Sequence, residues 1–309
     1  MTGSLARRHT VLNGYWRRAF PIYVMIFPGF LFFMVFKYVP MFGILIAFMD
    51  YSPFKGIGGS EWVGLDHFRR LFSEGDFWML LQNTLMLNVL DVLFFFPAPI
   101  LVALLLNEMR VKWFKGTVQT ILYAPNFISW VVIVGITLQL FATGSGAINE
   151  LLEGWGFDRI ELMTDPKYFR WVWLFQNIWQ GAGWGAIIFL AALSAVDPTL
   201  YEAAEMDGAS RWRQLWHITL PALRGAIVIL FILRLGHIMD LGFEHVFLLQ
   251  NPMNRDVSEV FETFIYKVGL NEGDYSYSTA VGLFKSAIGL AMVLTANALA
   301  KRTGQEGVF

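Results

Sequence analysis

The sequence predicts an all-α, polytopic membrane protein with about six transmembrane helices, and three observations predict it. Of its 309 residues 56% are hydrophobic and only 15% are charged, against roughly 45–50% and about 25% in soluble domains. The apolar residues gather into runs of about 20 or more, long enough to cross roughly 30 Å of hydrocarbon. The basic residues are sorted unequally between the segments that separate those runs. The same composition excludes a disordered chain. Cysteine is absent, which removes a disulfide framework, thiolate-bound zinc and a thiol nucleophile. With 23 Lys+Arg against 24 Asp+Glu there is no global field to attract nucleic acid, and no nucleic-acid partner is expected.

The expected spans are Ala19–Phe36, Phe77–Leu106, Val118–Ala142, Trp171–Ala195, Ile218–Leu241 and Ser278–Ala300. Residues 38–49 either continue the first helix or begin the loop after it. Arg17 and Arg18 precede the first run as they would in a signal peptide. Its apolar stretch is much longer than an h-region of about 7–15 residues and lacks a small-x-small cleavage site, so a retained helix is expected. Six spans put both ends on one side. One set of connecting segments carries Arg7, Arg8, Arg17, Arg18, Arg110, Lys112, Lys115, Arg211, Arg213, Arg224, Lys301 and Arg302. The other set is far longer yet holds only Lys55, Arg69, Arg70, Arg159, Lys167, Arg170, Arg255 and Lys267. Lysine and arginine density sets orientation, so both termini are expected in the cytoplasm, with 1–18 as a cytoplasmic tail. The acids Asp50, Glu61, Asp66, Glu74 and Asp76 crowd the first outer loop. No internal repeat or linker divides the chain, and 1–309 reads as one transmembrane domain.

The informative cytoplasmic segment is 196–217. Asp197 suits a helix N-cap and Pro198 the first helical position, where its missing N–H is no loss. Gly208 can take the left-handed stop, and Ser210 can cap a second helix leading back into the membrane. The product is a short exposed helix with a small-residue face, suited either to docking in a groove of a partner or to lying on the membrane surface.

Glu202-Ala203-Ala204, three residues, Gly208, nine residues, Ile218, one residue and Leu220-Pro221 resemble the EAA signature of permease subunits of binding-protein-dependent ABC importers. Flanking segments agree. Trp62–Phe72, Asn83-Thr84 and Leu122–Ser129 are similar to the sugar-permease branch, and Phe36–Gly43 with Ala47–Gly56 to a subgroup for complex oligosaccharides and polysaccharides. The resemblance implies a type I ABC importer permease fold in the bacterial inner membrane and ATP-driven alternating access. It implies a homologous second permease, an ATPase dimer and an extracytoplasmic solute-binding protein as partners. It also makes Glu202, Ala203, Ala204, Glu205, Asp207 and Gly208 the residues that couple to the ATPase. No Gly-x-x-x-x-Gly-Lys-[Ser/Thr] occurs, so no phosphate-cradling loop is present. No cofactor is expected in this chain, and ATP and magnesium belong to the partner ATPases. Gly181-x-Gly183-x-Gly185 lies inside an apolar run and does not read as a dinucleotide fingerprint.

Ionisable groups at membrane depth are functional candidates. Trp173, Gln176, Asn177, Gln180 and Trp184 follow helical spacing in the fourth span. Indole faces and amides there could stack and hydrogen-bond a sugar. They could equally serve helix packing, for which Gly181-x-x-x-Gly185 is suited. In the fifth span Arg234, His237, Leu241 and Glu244 read as one stripe with Asp240 beside it. For Arg234 a structural pair with an acid of a partner subunit is favoured over attraction of an acidic sugar. Asp91, followed by Pro97 and Pro99, marks a kink and could also belong to a proton relay. Lys37 and Lys285 are lone lysines that apolar runs can carry. His9, His67, His217 and His245 show no metal-ligand spacing. The rival reading is a self-contained secondary carrier using Asp91, Arg234 and Lys285 for ion coupling.

Overall fold

The computed structural model describes residues 19–302; the tail 1–18, with Arg7, Arg8, His9, Arg17 and Arg18, lies outside the described residues. Four long helices have the length and apolarity of single spans: α1 (Ala19–Phe48), α3 (Asp76–Glu108), α9 (Arg211–Gly236) and α13 (Tyr275–Arg302). Two bent pairs, α4 (Lys112–Phe127) with α5 (Trp130–Leu140) and α7 (Pro166–Ser194) with α8 (Pro198–Met206), have that length and apolarity only when taken together, which gives up to six spans. Residues 38–49 therefore continue the first helix, nearly to their end. The segments expected as outer loops fold into short helices: α2 (Asp66–Ser73), α6 (Ala147–Gly154), α10 (Phe243–Leu249), α11 (Arg255–Ser258) and α12 (Phe261–Tyr266). The only departure from an all-helical chain among the described residues is a two-residue ladder, β1 (Met49–Asp50) antiparallel to β2 (Glu61–Trp62).

Two expected spans differ from the structure. The third is not one rod: α4 and α5 meet at 95°. Pro125 tightens the last turn of α4 into 3₁₀ geometry, and Ile128 and Ser129 are extended. The carbonyl of Ile128 accepts from Gln180 Nε2 of α7 at 3.3 Å, so the break leaves it satisfied inside protein, as membrane depth requires. The fifth span ends at Gly236 rather than Leu241. A turn follows, and Gly242, at φ 81°, starts α10. Arg234 and Glu244 thus lie on different helices, and the expected single stripe does not exist. The kink expected at Asp91 is a π-helical turn, Asp91–Phe95, ahead of Pro97, which absorbs the missing amide without a sharp bend.

The body packs around three apolar clusters. One joins α3, α5, α7 and α10 through Leu87, Val134, Trp173 and Val246. A second seats α2, α12 and α13 on the outer end of α3 through Leu71, Phe77, Phe261 and Tyr277. The third fills the inner halves of α3, α7 and α9 with Ala103, Ala186, Phe189 and Leu223. α1 stands apart. From Phe20 to Phe42 its large apolar side chains are exposed, and only its outer end packs, against α13, where Tyr51 N donates to Ser276 Oγ at 2.8 Å.

Close approach within the bundle depends on glycine. A Cβ at Gly183 would lie 2.0 Å from the Leu122 carbonyl oxygen, and one at Gly185 would lie 2.9 Å from Pro99. The Gly181–Gly185 segment is therefore a packing surface against two neighbouring spans. Gly183→Ala should destabilise the chain by about 1–3 kcal/mol, the usual range for overpacking against an unyielding neighbour. Gly135→Ala, with open space around it, should leave the melting temperature in detergent nearly unchanged.

Candidate functional site

The segment after α7 folds by local chemistry alone. Asp197 Oδ1 accepts from Thr199 N at 2.9 Å, and Pro198 opens α8. These hydrogen bonds from Thr199 hold the Asp197 carboxyl below the usual carboxylate range. Gly208 sits at φ 72°, and Ser210 Oγ accepts from Arg213 N at 3.4 Å. α8 turns 71° from α7 and buries no residue. Glu202, Ala203, Glu205, Asp207 and Gly208 are all exposed, with Ala204 half-buried. Tyr201 Oη lies 3.0 Å from Thr219 Oγ1 of α9, and Arg211 pairs with Glu108 at the end of α3 at 2.6 Å. The exposed helix is thus joined to α7 by the chain and to α9 through Tyr201 and Thr219, and α9 is tied in turn to α3 by the Arg211–Glu108 pair.

A second constellation follows the other end of α9. The Arg234 guanidinium clasps both oxygens of the Asp91 carboxylate, with Nε to Oδ2 at 2.6 Å. Asp91 is buried while Arg234 is half-exposed. The partner of Arg234 is therefore an acid of this same chain, not of a second subunit. Next along, His237 Nδ1 lies 3.4 Å from Asp240 Oδ2. Lys285 of α13 bridges Asp240 and Glu262, reaching Glu262 Oε1 at 2.8 Å, and Leu241 N donates to Glu262 Oε2 at 3.2 Å. A cavity of about 430 Å³ opens among His237, Asp240, Lys285, Ser286 and Gly289. Lys285 and Glu262 were not legible as a site: one reads as a lone lysine in an apolar run, the other as loop acid, and only the fold brings them together.

The fourth-span stripe is mostly turned inward. Trp173 is 1% exposed and Gln176 8%. Gln176 Nε2 donates to Thr137 Oγ1 at 2.7 Å, and its Oε1 accepts from His245 Nε2 at 2.7 Å. Asn177 Nδ2 donates to Trp173 O at 3.0 Å and reaches His245 Nδ1 at 3.4 Å. Gln180 holds the break in the third span. Trp184 alone of the five is exposed, edge-on to Phe127. His245 stacks on Trp130 with centroids 3.7 Å apart. Burial pushes its pKa down to about 3, and the neutral ring protonated on Nε2 fits both amide contacts. Among the described residues no group of three or more His, Asp or Glu could hold a metal.

Residues 95–305 match the family described as binding-protein-dependent transport system inner membrane component. The chain belongs to that family. It is 55% identical over 288 residues, 93% of this chain and 90% of the other, to the polygalacturonan/rhamnogalacturonan transport system permease protein YteP of Bacillus subtilis. It is 51% identical to Protein LplB of the same organism, over 93% and 91% of the two chains. Among solved structures it superposes with TM-score 0.87 and 38% identity on a chain of a bacterial alginate ABC transporter in complex with alginate pentasaccharide-bound periplasmic protein, covering 96% and 99% of the chains. This permease is the membrane-embedded, non-enzymatic component of an ABC importer for oligosaccharides or polysaccharides, and the secondary-carrier reading is not favoured.

Two predictions follow from this geometry. Arg234→Gln strands the buried Asp91 carboxylate, a change that costs roughly 3–5 kcal/mol in fully buried pairs. Here the half-exposed arginine should bring it to the lower end, and Arg234→Gln/Asp91→Asn should recover most of the loss in thermal unfolding. For His245 the folded pKa lies below its free value of about 6.5. The neutral ring therefore contributes in full above that pH and loses its contribution as the pH falls toward 3, by up to about 1.4 kcal/mol per unit. His245→Phe should flatten the fall in melting temperature between about pH 6.5 and 4, measured against the parent under the same conditions.

Proposed function

We propose that this permease translocates uronic-acid-containing oligosaccharides, together with a homologous second permease, an ATPase dimer and an extracytoplasmic solute-binding protein. The observation that carries the reading is full-length likeness to two systems whose names specify uronate polymers, polygalacturonan/rhamnogalacturonan and alginate. ATP and magnesium act on the ATPases. The protein sits in the bacterial inner membrane with both termini cytoplasmic, and the binding protein docks on the opposite face. α8 is the coupling helix: Glu202, Ala203, Ala204, Glu205, Asp207 and Gly208 seat in a cleft of the ATPase. Nucleotide-driven closure then favours one of two packings of the spans.

Within the pathway, His237 and Asp240 offer exposed polar groups beside the cavity, and Trp184 an exposed indole on which a sugar ring can stack. Arg234 and Asp91 fix the wall behind them. Trp173, Gln176, Asn177 and Gln180 hold the fourth span to its neighbours. Lys285 and Arg234 are already paired, Arg234 with Asp91 and Lys285 with both Asp240 and Glu262, so this wall offers an acidic oligosaccharide hydrogen-bonding groups rather than net positive charge.

The test is uptake into vesicles containing the assembled transporter with its binding protein. Trigalacturonate should be transported in preference to a neutral trisaccharide, and preference for the neutral sugar would sink the substrate assignment. Glu202→Lys reverses a charge on the exposed face of α8. Gly208→Pro demands φ near −65° where the chain has 72°. Both should insert and assemble yet lose most substrate-stimulated ATP hydrolysis; normal coupled hydrolysis in both would refute the role of α8.

A further inference from the structure

Arg170, one turn into α7, is a cation without an acid. No carboxylate pairs with it among the described residues. Its guanidinium has one long hydrogen bond, Nη2 to Asn83 Oδ1 at 3.3 Å, and its Nε is sealed from solvent without a partner. Such a group, at the edge of a membrane, is stabilised by a counter-anion. Beside it a cavity of about 280 Å³ lies between α3 and α7. Met86, Leu90, Trp171 and Val257 give it apolar walls, and Lys167 and Arg170 supply its charged lining. Lys167 Nζ is 2.6 Å from Asp165, so the local charge of these three groups is a single positive one.

Depth identifies the surroundings. α3 and α7 extend about 50 Å and 44 Å at 1.5 Å per residue, against roughly 30 Å of hydrocarbon. Their ends beside the coupling helix are fixed by the Glu108–Arg211 pair and by the 71° turn into α8. Counting about 20 residues back from Glu108 and Ser194 places the far hydrocarbon boundary near Asn88 and Leu174. The cavity straddles that boundary, with Trp171 at the level where indoles line membrane interfaces.

We propose that Arg170 and Lys167 hold the phosphate of a membrane phospholipid in the groove between α3 and α7, on the membrane face away from the coupling helix. A phosphodiester carries one negative charge, matching the local excess, and arginine's planar fork suits its oxygens. Below the phosphate a lipid presents apolar chain to Met86, Leu90 and Val257. A sugar would bring a rim of hydroxyls to walls with nothing to bond them.

The experiment is native mass spectrometry of the assembled, delipidated transporter titrated with phosphatidylglycerol, with glycerol phosphate and trigalacturonate as competitors. Arg170→Gln should lower lipid occupancy about tenfold, the scale of a lost charge-assisted contact, and Arg170→Lys should fall between it and the parent. Met86→Trp fills the groove while leaving both cations, so it tests the site even if Arg170→Gln fails to assemble; it too should displace the lipid. Lys55→Gln, elsewhere on the outer surface, should change nothing. Unchanged occupancy in Arg170→Gln or in Met86→Trp would overturn the proposal. Release of the lipid by trigalacturonate would give the site to the acidic sugar, and equally tight binding of glycerol phosphate would make it a site for free phosphate.

Discussion

Wherever this chain interrupts a helix at membrane depth, it must bring its own hydrogen-bond donors, because hydrocarbon supplies none. The rest of the architecture is arranged around that need. Gln180 reaches from α7 to the carbonyl freed at Ile128. Asn149, wholly buried, donates to the carbonyls of Phe141 and Ile160 at 3.1 Å and accepts from Ile160 N at 2.9 Å, closing the outer loop on itself. Asn83 donates to the carbonyls of Asp256 and Glu259 at 2.9 and 3.1 Å, and so binds the outer helices to α3. Gln180 thus serves the bent third span, Asn149 and Asn83 serve the segments beyond the spans, and Glu262 accepts from Leu241 N after the fifth.

The two constellations sit at opposite ends of α9 and obey different physics. Around α8 the motif residues are exposed apart from the half-buried Ala204, and contacts to the spans are few. Around Arg234, Asp240 and Lys285 the charges are partly or wholly buried and every cation is paired with an acid. Breaking one pair is expensive while sliding between partners is not, since Lys285 already bridges two carboxylates. That is a favourable setting for spans that adopt two packings. The Asp91–Arg234 pair is positioned in turn by the π-helical turn, which ends in the cap hydrogen bond from Phe96 N to Asp91 O.

What could be read in advance divides along the range of the interactions. α8 was legible as a helix because its determinants are neighbours: Asp197, Pro198 and Gly208 specify start and stop within a dozen residues. Span count was legible because length and apolarity are summed over a window. The same summation hides direction. Val118–Ala142 is apolar throughout whether it runs straight or turns 95° at Ile128, and apolarity continues past Gly236 where the helix stops. Pairings such as Arg234 with Asp91 or Lys285 with Glu262 join distant segments. The sequence marks each charge as costly at that depth but not whom it meets. The fourth-span amides read two ways for a related reason: a stripe that could line a sugar path and one that staples helices have the same periodicity.

The attachment of α1 has a bearing on how the molecule is made. Its packing partner is α13, and the hydrogen bond that ties them spans 225 positions of the chain. α1 is therefore made well before α13, the helix it packs against among the described residues. Through synthesis of everything between, it must wait in lipid, and the long loop joining the two closes only once α13 has been made. The anchoring of α1 is thereby tied to the synthesis of α13, so a chain cut short before Tyr275 leaves its long apolar helix without that support.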